Sequence, residues 1–195
     1  MAISNNSTGL RPGVCTSTTR PTAPYEGQMI YETDTDMVAI WNGTAWRYIA
    51  ATTPTNGTVL QVVTGSTSTE VTNNTATYAD TSLTAIITPK STTSKILVHA
   101  VHSGVYVLAS NSENRVQMQL VRGASGIFNF TGGLHSYTGT AVAKIGQVTC
   151  LYIDSPSTTS ATTYKTQFLN PNGTAGVLVQ SGAATSIIVL TEIAG

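Results

Sequence analysis

Along most of the chain apolar and polar residues alternate with a period of two. "LTAIITP" sets Leu83, Ala85 and Ile87 against Thr84, Ile86 and Thr88, and "RVQMQLVRG" sets Val116, Met118 and Leu120 against Gln117 and Gln119. This is the pattern of strands with one face in a core and the other toward polar surroundings. No window places apolar residues three and four apart among good helix formers, and β-branched residues dominate throughout. From Val59 onward, runs such as "AKIGQVTCLYIDSP", "TYKTQFLNP" and "AGVLVQSG" are separated by the turn chemistry of "SPSTTSAT", "NPNGT" and "SGAAT". The pattern predicts about eight to ten strands at the spacing of a sandwich or jelly roll. The expected class is all-β.

Two runs break the alternation. "KILVHAVHSGVYVLA" and "TSIIVLTEIAG" are apolar on both faces, as expected where one face meets the core and the other meets something else dry. A partner subunit is the candidate for that second surface. Ile96, Val98, Val101, Ile187, Ile188 and Leu190 are the residues expected to bury such an interface.

Ahead of this domain the composition changes. "ATTPTNGT" has Pro, Gly and Thr with no apolar pattern and reads as a linker. Before it, "GQMIYET" predicts a strand, "DTD" a turn, "MVAIW" a second strand, "NG" a two-residue hairpin with both positions at positive φ, and "TAWRYI" a third strand. A lone three-stranded meander is marginal in water, and this one carries Tyr31, Trp41, Trp46 and Tyr48. It needs a partner, so Ile30, Tyr31, Ile40, Trp41 and Trp46 are expected to pack between subunits or onto another protein. The predicted organisation is an extended arm with a three-stranded module over 1–50, a linker over 51–57 and a knob domain over 58–195.

Charge narrows the function. Only 9% of the 195 residues are charged and the formal net charge is zero, so the electrostatic attraction behind non-specific nucleic-acid binding is missing. "MAISNNSTGL" has neither a basic nor an apolar stretch, and no apolar run approaches 18 residues. Neither a signal peptide nor membrane insertion is expected. Cys15 and Cys150 are far apart in sequence and fit neither a zinc site nor a disulfide framework. Both are expected to be free thiols.

Catalytic chemistry finds little support. In "HAVH", His99 and His102 are three apart and fall on opposite faces of a strand, so they cannot share a metal ion. Glu32, Asp34 and Asp36 in "ETDTD" lack the spacing and glycine of a calcium loop and suit a hairpin connection. There is no Gly-x-Ser-x-Gly elbow, and the knob's acidic residues Glu70, Asp80, Glu113, Asp154 and Glu192 show no pairing for glycoside hydrolysis. No catalytic residue, metal ligand or cofactor is expected, and the protein is expected not to be an enzyme.

The stretch "TRPTAPYEGQMIYETDTDMVAIWNGTAW", Thr19 to Trp46, resembles the short N-terminal module of tailed-phage fibre, collar and other virion structural proteins. Farther on, "AIITPKSTTSKILVHA", "YIDSPSTTSATTYKTQF" and "SIIVLTEIAG" resemble the jelly-roll knob of phage fibres and head-decoration proteins. The resemblance implies a homotrimer similar in architecture to tumour necrosis factor-like trimers, on the surface of the virion. Its N-terminal module would then join it to another virion protein of the capsid, collar, tail or baseplate. An alternative is a receptor-binding tip that recognises host surface glycan. For that role "NFTGGLHSYTGT", with Phe130, His135 and Tyr137, is the candidate loop. The structural alternative for the same loop is that its aromatics cover the end of the barrel.

Overall fold

The computed structural model describes residues 12–49, 54–108, 115–131, 134–135, 143–173 and 176–195, with 134–135 and 143–144 described by backbone only. Among them every long element is a strand, and the one helical turn is a 3-10 turn at Ser181–Ala183. The chain divides into two compact units, parted between residues 53 and 54. The expected all-β class is what the protein adopts, with several sheets compatible with a β sandwich in the second unit.

The first unit is one small sheet. Strands β1 (Gly13–Cys15), β2 (Met29–Glu32), β3 (Met37–Trp41) and β4 (Trp46–Ile49) lie in the order β1-β2-β3-β4. The meander expected from sequence is therefore extended by a strand from the Pro-rich arm. β1 runs parallel to β2, with Gly13 opposite Ile30 and Cys15 opposite Glu32. A parallel neighbour needs a long return connection, which residues 16–28 supply.

The "NG" hairpin also differs from expectation. β3 and β4 are joined by the four residues 42–45 rather than by two, and Gly43 alone takes positive φ, at 91°. Asn42 instead uses its side chain. Its Oδ1 accepts from the Thr44 amide at 3.1 Å, the Thr44 hydroxyl at 3.0 Å and the Ala45 amide at 2.8 Å, the local capping that Asx turns provide.

The second unit has two layers. Its strands are β5 (Val59–Thr67), β6 (Val71–Asn73), β7 (Ala79–Ile87), β8 (Lys95–Val107), β9 (Arg115–Arg122), β10 (Ser125–Asn129), β11 (Leu134–His135), β12 (Ala143–Asp154), β13 (Thr162–Leu169), β14 (Val177–Val179) and β15 (Ser186–Ile193). One sheet runs β10-β9-β13-β7, with β11 beside β9. The other runs β5-β15-β8-β14-β6, and β12 pairs with the remaining edge of β8.

Between the layers lie Leu83, Ile87, Ile96, Val98, Leu120, Tyr164, Ile188 and Leu190 at one end, and Val105, Val107, Met118, Phe168 and Val177 at the other. Residues 54–57, assigned to the linker from sequence, are tied to the knob: Gly57 N–H donates to Ala194 O at 2.8 Å.

The 13-residue β8 organises the second sheet because it changes neighbours along its length. It pairs with β15 through Val101 and with β14 at Tyr106 and Val107. Gly104, at φ 60°, lies between the two stretches. A Cβ there would sit 2.6 Å from Ser181 N and 2.9 Å from Ser181 O, so the close approach of the 3-10 turn requires glycine. Past it the buried parity shifts from Ala100 and His102 to Val105 and Val107.

Candidate interaction surfaces

Side chains of a strand alternate between faces, and residues directly opposite in register share a face. In the knob this rule sorts the six residues expected at a subunit interface into two groups. Ile96, Val98, Ile188 and Leu190 are buried between the two sheets of their own protomer. They belong to the core and cannot meet a partner, which corrects that expectation. Val101 and Ile187 point the other way; they are partners in register, half-buried and exposed respectively.

Around them is a continuous outward face that sequence reasoning did not assemble. Val62, Thr191, Leu97 and Ile153 form one cross-strand row, Thr64, Val189, His99 and Leu151 a second, and Ser66, Ile187, Val101 and Thr149 a third. Leu151 is 63% exposed, Ile153 58% and Val62 56%. None of these twelve residues is acidic, lysine or arginine. Four strands about 4.8 Å apart and three rows about 6.8 Å apart make a face of roughly 400 Å², on which seven apolar side chains sit among Thr, Ser and His. A groove of about 330 Å³ at one end of this face is lined by His99, Val101, Ser103, Gln147, Thr185, Ile187 and Val189.

The first unit repeats the arrangement on a smaller scale. Ile30 and Ala39 are opposite each other and buried, with Glu32 on the same face. Ile30 is thus that unit's own core, which removes it from the expected attachment residues. Trp41 and Trp46 face each other in register and pack edge to face, with ring centroids 5.6 Å apart. Both are half-buried, so the tryptophans partly satisfy each other. On the opposite face lie Val14, Tyr31, Val38 and Ile49 in one row and Met29, Ile40 and Arg47 in the next. Val14 is 67% exposed, and Met29 and Ile49 are exposed as well. Tyr31 and Ile40 fall on this outward surface.

Electrostatics stiffen the inward sides. In the first unit the Glu32 carboxylate, fully buried, accepts from Arg20, from the Tyr48 hydroxyl at 3.0 Å and from the Thr35 hydroxyl at 3.1 Å. The Arg20 guanidinium, with help from Tyr48 and Thr35, holds that carboxyl below its ordinary range against the opposing effect of burial. Asp34 accepts from the Ser17 amide and hydroxyl, and these bonds likewise lower it. Asp36 accepts from Tyr31 at 2.6 Å. The three carboxylates of "ETDTD" serve three different partners.

In the knob, the buried His102 has Nε2 at 2.9 Å from the Thr166 hydroxyl, which is 2.6 Å from the Thr81 hydroxyl on the next strand. Burial pushes His102 down to about 4, so the ring is neutral at pH 7. His99 lies on the outer face of the same strand, as the three-residue spacing predicts. Asp154 accepts two bonds from Arg122 and one from Tyr164 at 2.6 Å, joining the two sheets. Burial raises Cys150 to about 12, and both cysteines are free.

Of the loop proposed for glycan contact, Phe130 packs against both core clusters and stacks over His102 at 6.5 Å. The ring is half-buried there. The backbone of His135 pairs with Arg115 on β9; its side chain and all of Tyr137 lie outside the described residues. Among the described residues no group of three or more His, Cys, Asp or Glu is placed to hold a metal ion, and no helix is long and apolar enough to cross a membrane.

No protein-family model matches the chain, and no curated protein is detectably similar to it.

Proposed function

We propose that this protein is a non-catalytic structural protein of a tailed-phage virion: a homotrimeric fibre or capsid-decoration protein anchored to the particle by its N-terminal unit, with the knob projecting outward. The observation that carries this reading is the largely apolar outer face, free of acidic residues, lysine and arginine, on β5, β15, β8 and β12. A patch of that size is roughly half of what one partner buries in a standard two-body interface. Cyclic assembly, in which each copy meets two others, suits it better than a single facing pair. A neutral face also carries no charge that would repel its own copies.

Strand order supports a jelly-roll knob of the tumour necrosis factor-like kind. Taking β5, β7, β8, β9, β10, β12, β13 and β15 as its eight principal strands, the first, eighth, third and sixth make one layer. The second, seventh, fourth and fifth make the other. The resemblance of Thr19–Trp46 to phage attachment modules supports the anchoring role, and Tyr31, Ile40, Val38 and Ile49 are the residues we assign to it. The alternative of a glycan-recognising tip rests on a loop whose Phe130 is half-buried against the core.

Light scattering on the full-length protein tests this reading. The wild type is expected at three times the protomer mass, and Leu151→Lys with Ile153→Lys at one, with the protomer still folded. A monomeric wild type overturns the proposal. Anchoring is tested separately: Tyr31→Lys with Ile40→Lys is expected to leave the trimer intact but abolish its incorporation into particles.

A further inference from the structure

The tripeptide Asn-Gly-Thr occurs three times, at residues 42–44, 56–58 and 172–174. All three asparagines are exposed. An Asn-Gly step is open to a self-reaction in which the glycine nitrogen attacks the asparagine amide carbon, because glycine has no side chain to hinder the approach. Identical local sequence gives no reason for one copy to react before another. The structure does.

Gly57 N–H donates to Ala194 O at 2.8 Å, and Gly173 N–H donates to Asn170 O at 3.0 Å. Each of these two N–H groups is occupied. Gly43 N–H has no hydrogen bond among the described residues, and the Asn42 oxygen beside it accepts three bonds, from Thr44 N, Thr44 Oγ1 and Ala45 N. Donors aimed at a carbonyl oxygen polarise its carbon and stabilise the oxyanion that forms on attack. The Glu26 carboxylate lies beside this glycine, its Oε2 3.7 Å from where a Cβ on Gly43 would sit, and is the candidate base for the proton that the attacking nitrogen must lose.

We propose that Asn42 is a self-modifying site, converting to aspartate and isoaspartate ahead of Asn56 and Asn172. Gly43 N bonds to Asn42 Cγ while Glu26 takes the amide proton. The tetrahedral oxyanion rests on Thr44 and Ala45, and the C–N bond to the side-chain nitrogen breaks as that nitrogen regains a proton and leaves as ammonia. Water then opens the cyclic imide at either carbonyl, placing a carboxylate in the loop. The sum is one water consumed and one ammonia released, with no oxidant or reductant. In the isoaspartate product the backbone between Trp41 and Trp46 is longer by one carbon, and the three capping bonds to Asn42 Oδ1 lose their geometry.

The test ages the purified full-length protein at neutral pH and physiological temperature. Amide-to-acid conversion is followed at each asparagine by tandem mass spectrometry, with an isoaspartate assay alongside. Conversion at Asn42 is expected to run several-fold ahead of the other two positions, and Glu26→Gln to slow Asn42 alone. Since Trp41 and Trp46 are the only tryptophans, intrinsic tryptophan fluorescence is expected to change in step with Asn42. Equal or faster conversion at Asn56 or Asn172 overturns the proposal, and so does an unchanged Asn42 rate in Glu26→Gln.

Discussion

The two units solve the same problem at different sizes. Each has a sheet with one face buried inside its own protomer and one outward face whose apolar residues are exposed or half-buried: Val62, Leu97, Leu151 and Ile187 on the knob, and Val14, Tyr31, Val38 and Ile49 on the N-terminal sheet. They differ in what supports the buried side. The knob has a second layer and a core that extends along both sheets. Among the described residues the N-terminal unit has no second sheet, and the inward side of its one sheet relies on two apolar side chains, a tryptophan pair and the Arg20–Glu32–Tyr48 cluster. Where apolar area is scarce, a partly buried charge pair helps to fix the geometry.

The contrast is broken most severely from within the knob. Leu190→Ala, which opens the buried core, is expected to destabilise the knob by about 2–5 kcal/mol, read from its thermal unfolding. The tryptophan signal of the N-terminal unit should stay unchanged, and a coupled loss of both would show the units to be one cooperative body.

Acid sharpens the contrast, because the two units lose stability in different windows. His102 titrates near 4 in the folded knob and near 6.5 when unfolded. Between those values the unfolded chain binds the proton and the folded one does not. The stability this neutral ring supports is therefore fully present above about pH 6.5 and falls by roughly 3 kcal/mol as the pH drops to about 4. Glu32 has a folded value below its ordinary one, so its contribution persists until the pH falls past the unfolded carboxylate range. Calorimetry at stepped pH should show the knob transition moving down first, while tryptophan fluorescence holds to lower pH.

A smaller effect is expected from Gly104→Ala, where positive φ and the contact with Ser181 are expected to cost about 1–3 kcal/mol, seen as a lower denaturant midpoint of the knob alone. Least of all, Leu151→Thr and Ile49→Thr are expected to shift protomer stability within about 0.5 kcal/mol while weakening assembly. A large loss of protomer stability from either would mean that the outer faces are not free surfaces.

The strands were legible in sequence because a period of two is a direct image of the pleat. "LTAIITP" and "RVQMQLVRG" bury Leu83, Ala85, Ile87, Val116, Met118 and Leu120, the faces their alternation predicts. The faces of β8 and β15 were harder to assign, because both parities are apolar and hydrophobicity alone cannot say which side is inside. One signal was available: Lys95, His99 and Ser103 share parity with Leu97 and Val101, and polar residues at every fourth position mark the solvent side. β1 left no trace, since three residues are too few to show a period. The four-residue loop at Asn42 was missed because "NG" serves equally in a two-residue turn and in an Asx-capped one.

The knob's first and last strands are antiparallel neighbours from Val59 to Thr67 and Ser186 to Ile193, and Ala194 is bonded to both Gly57 and Thr58 at the entrance. Tension arriving through residues 54–57 along the direction of β5 therefore meets the whole ladder in shear, with its rungs loaded together rather than peeled one at a time. A tether attached at that point is mechanically strong in the direction of its strand and weak across it.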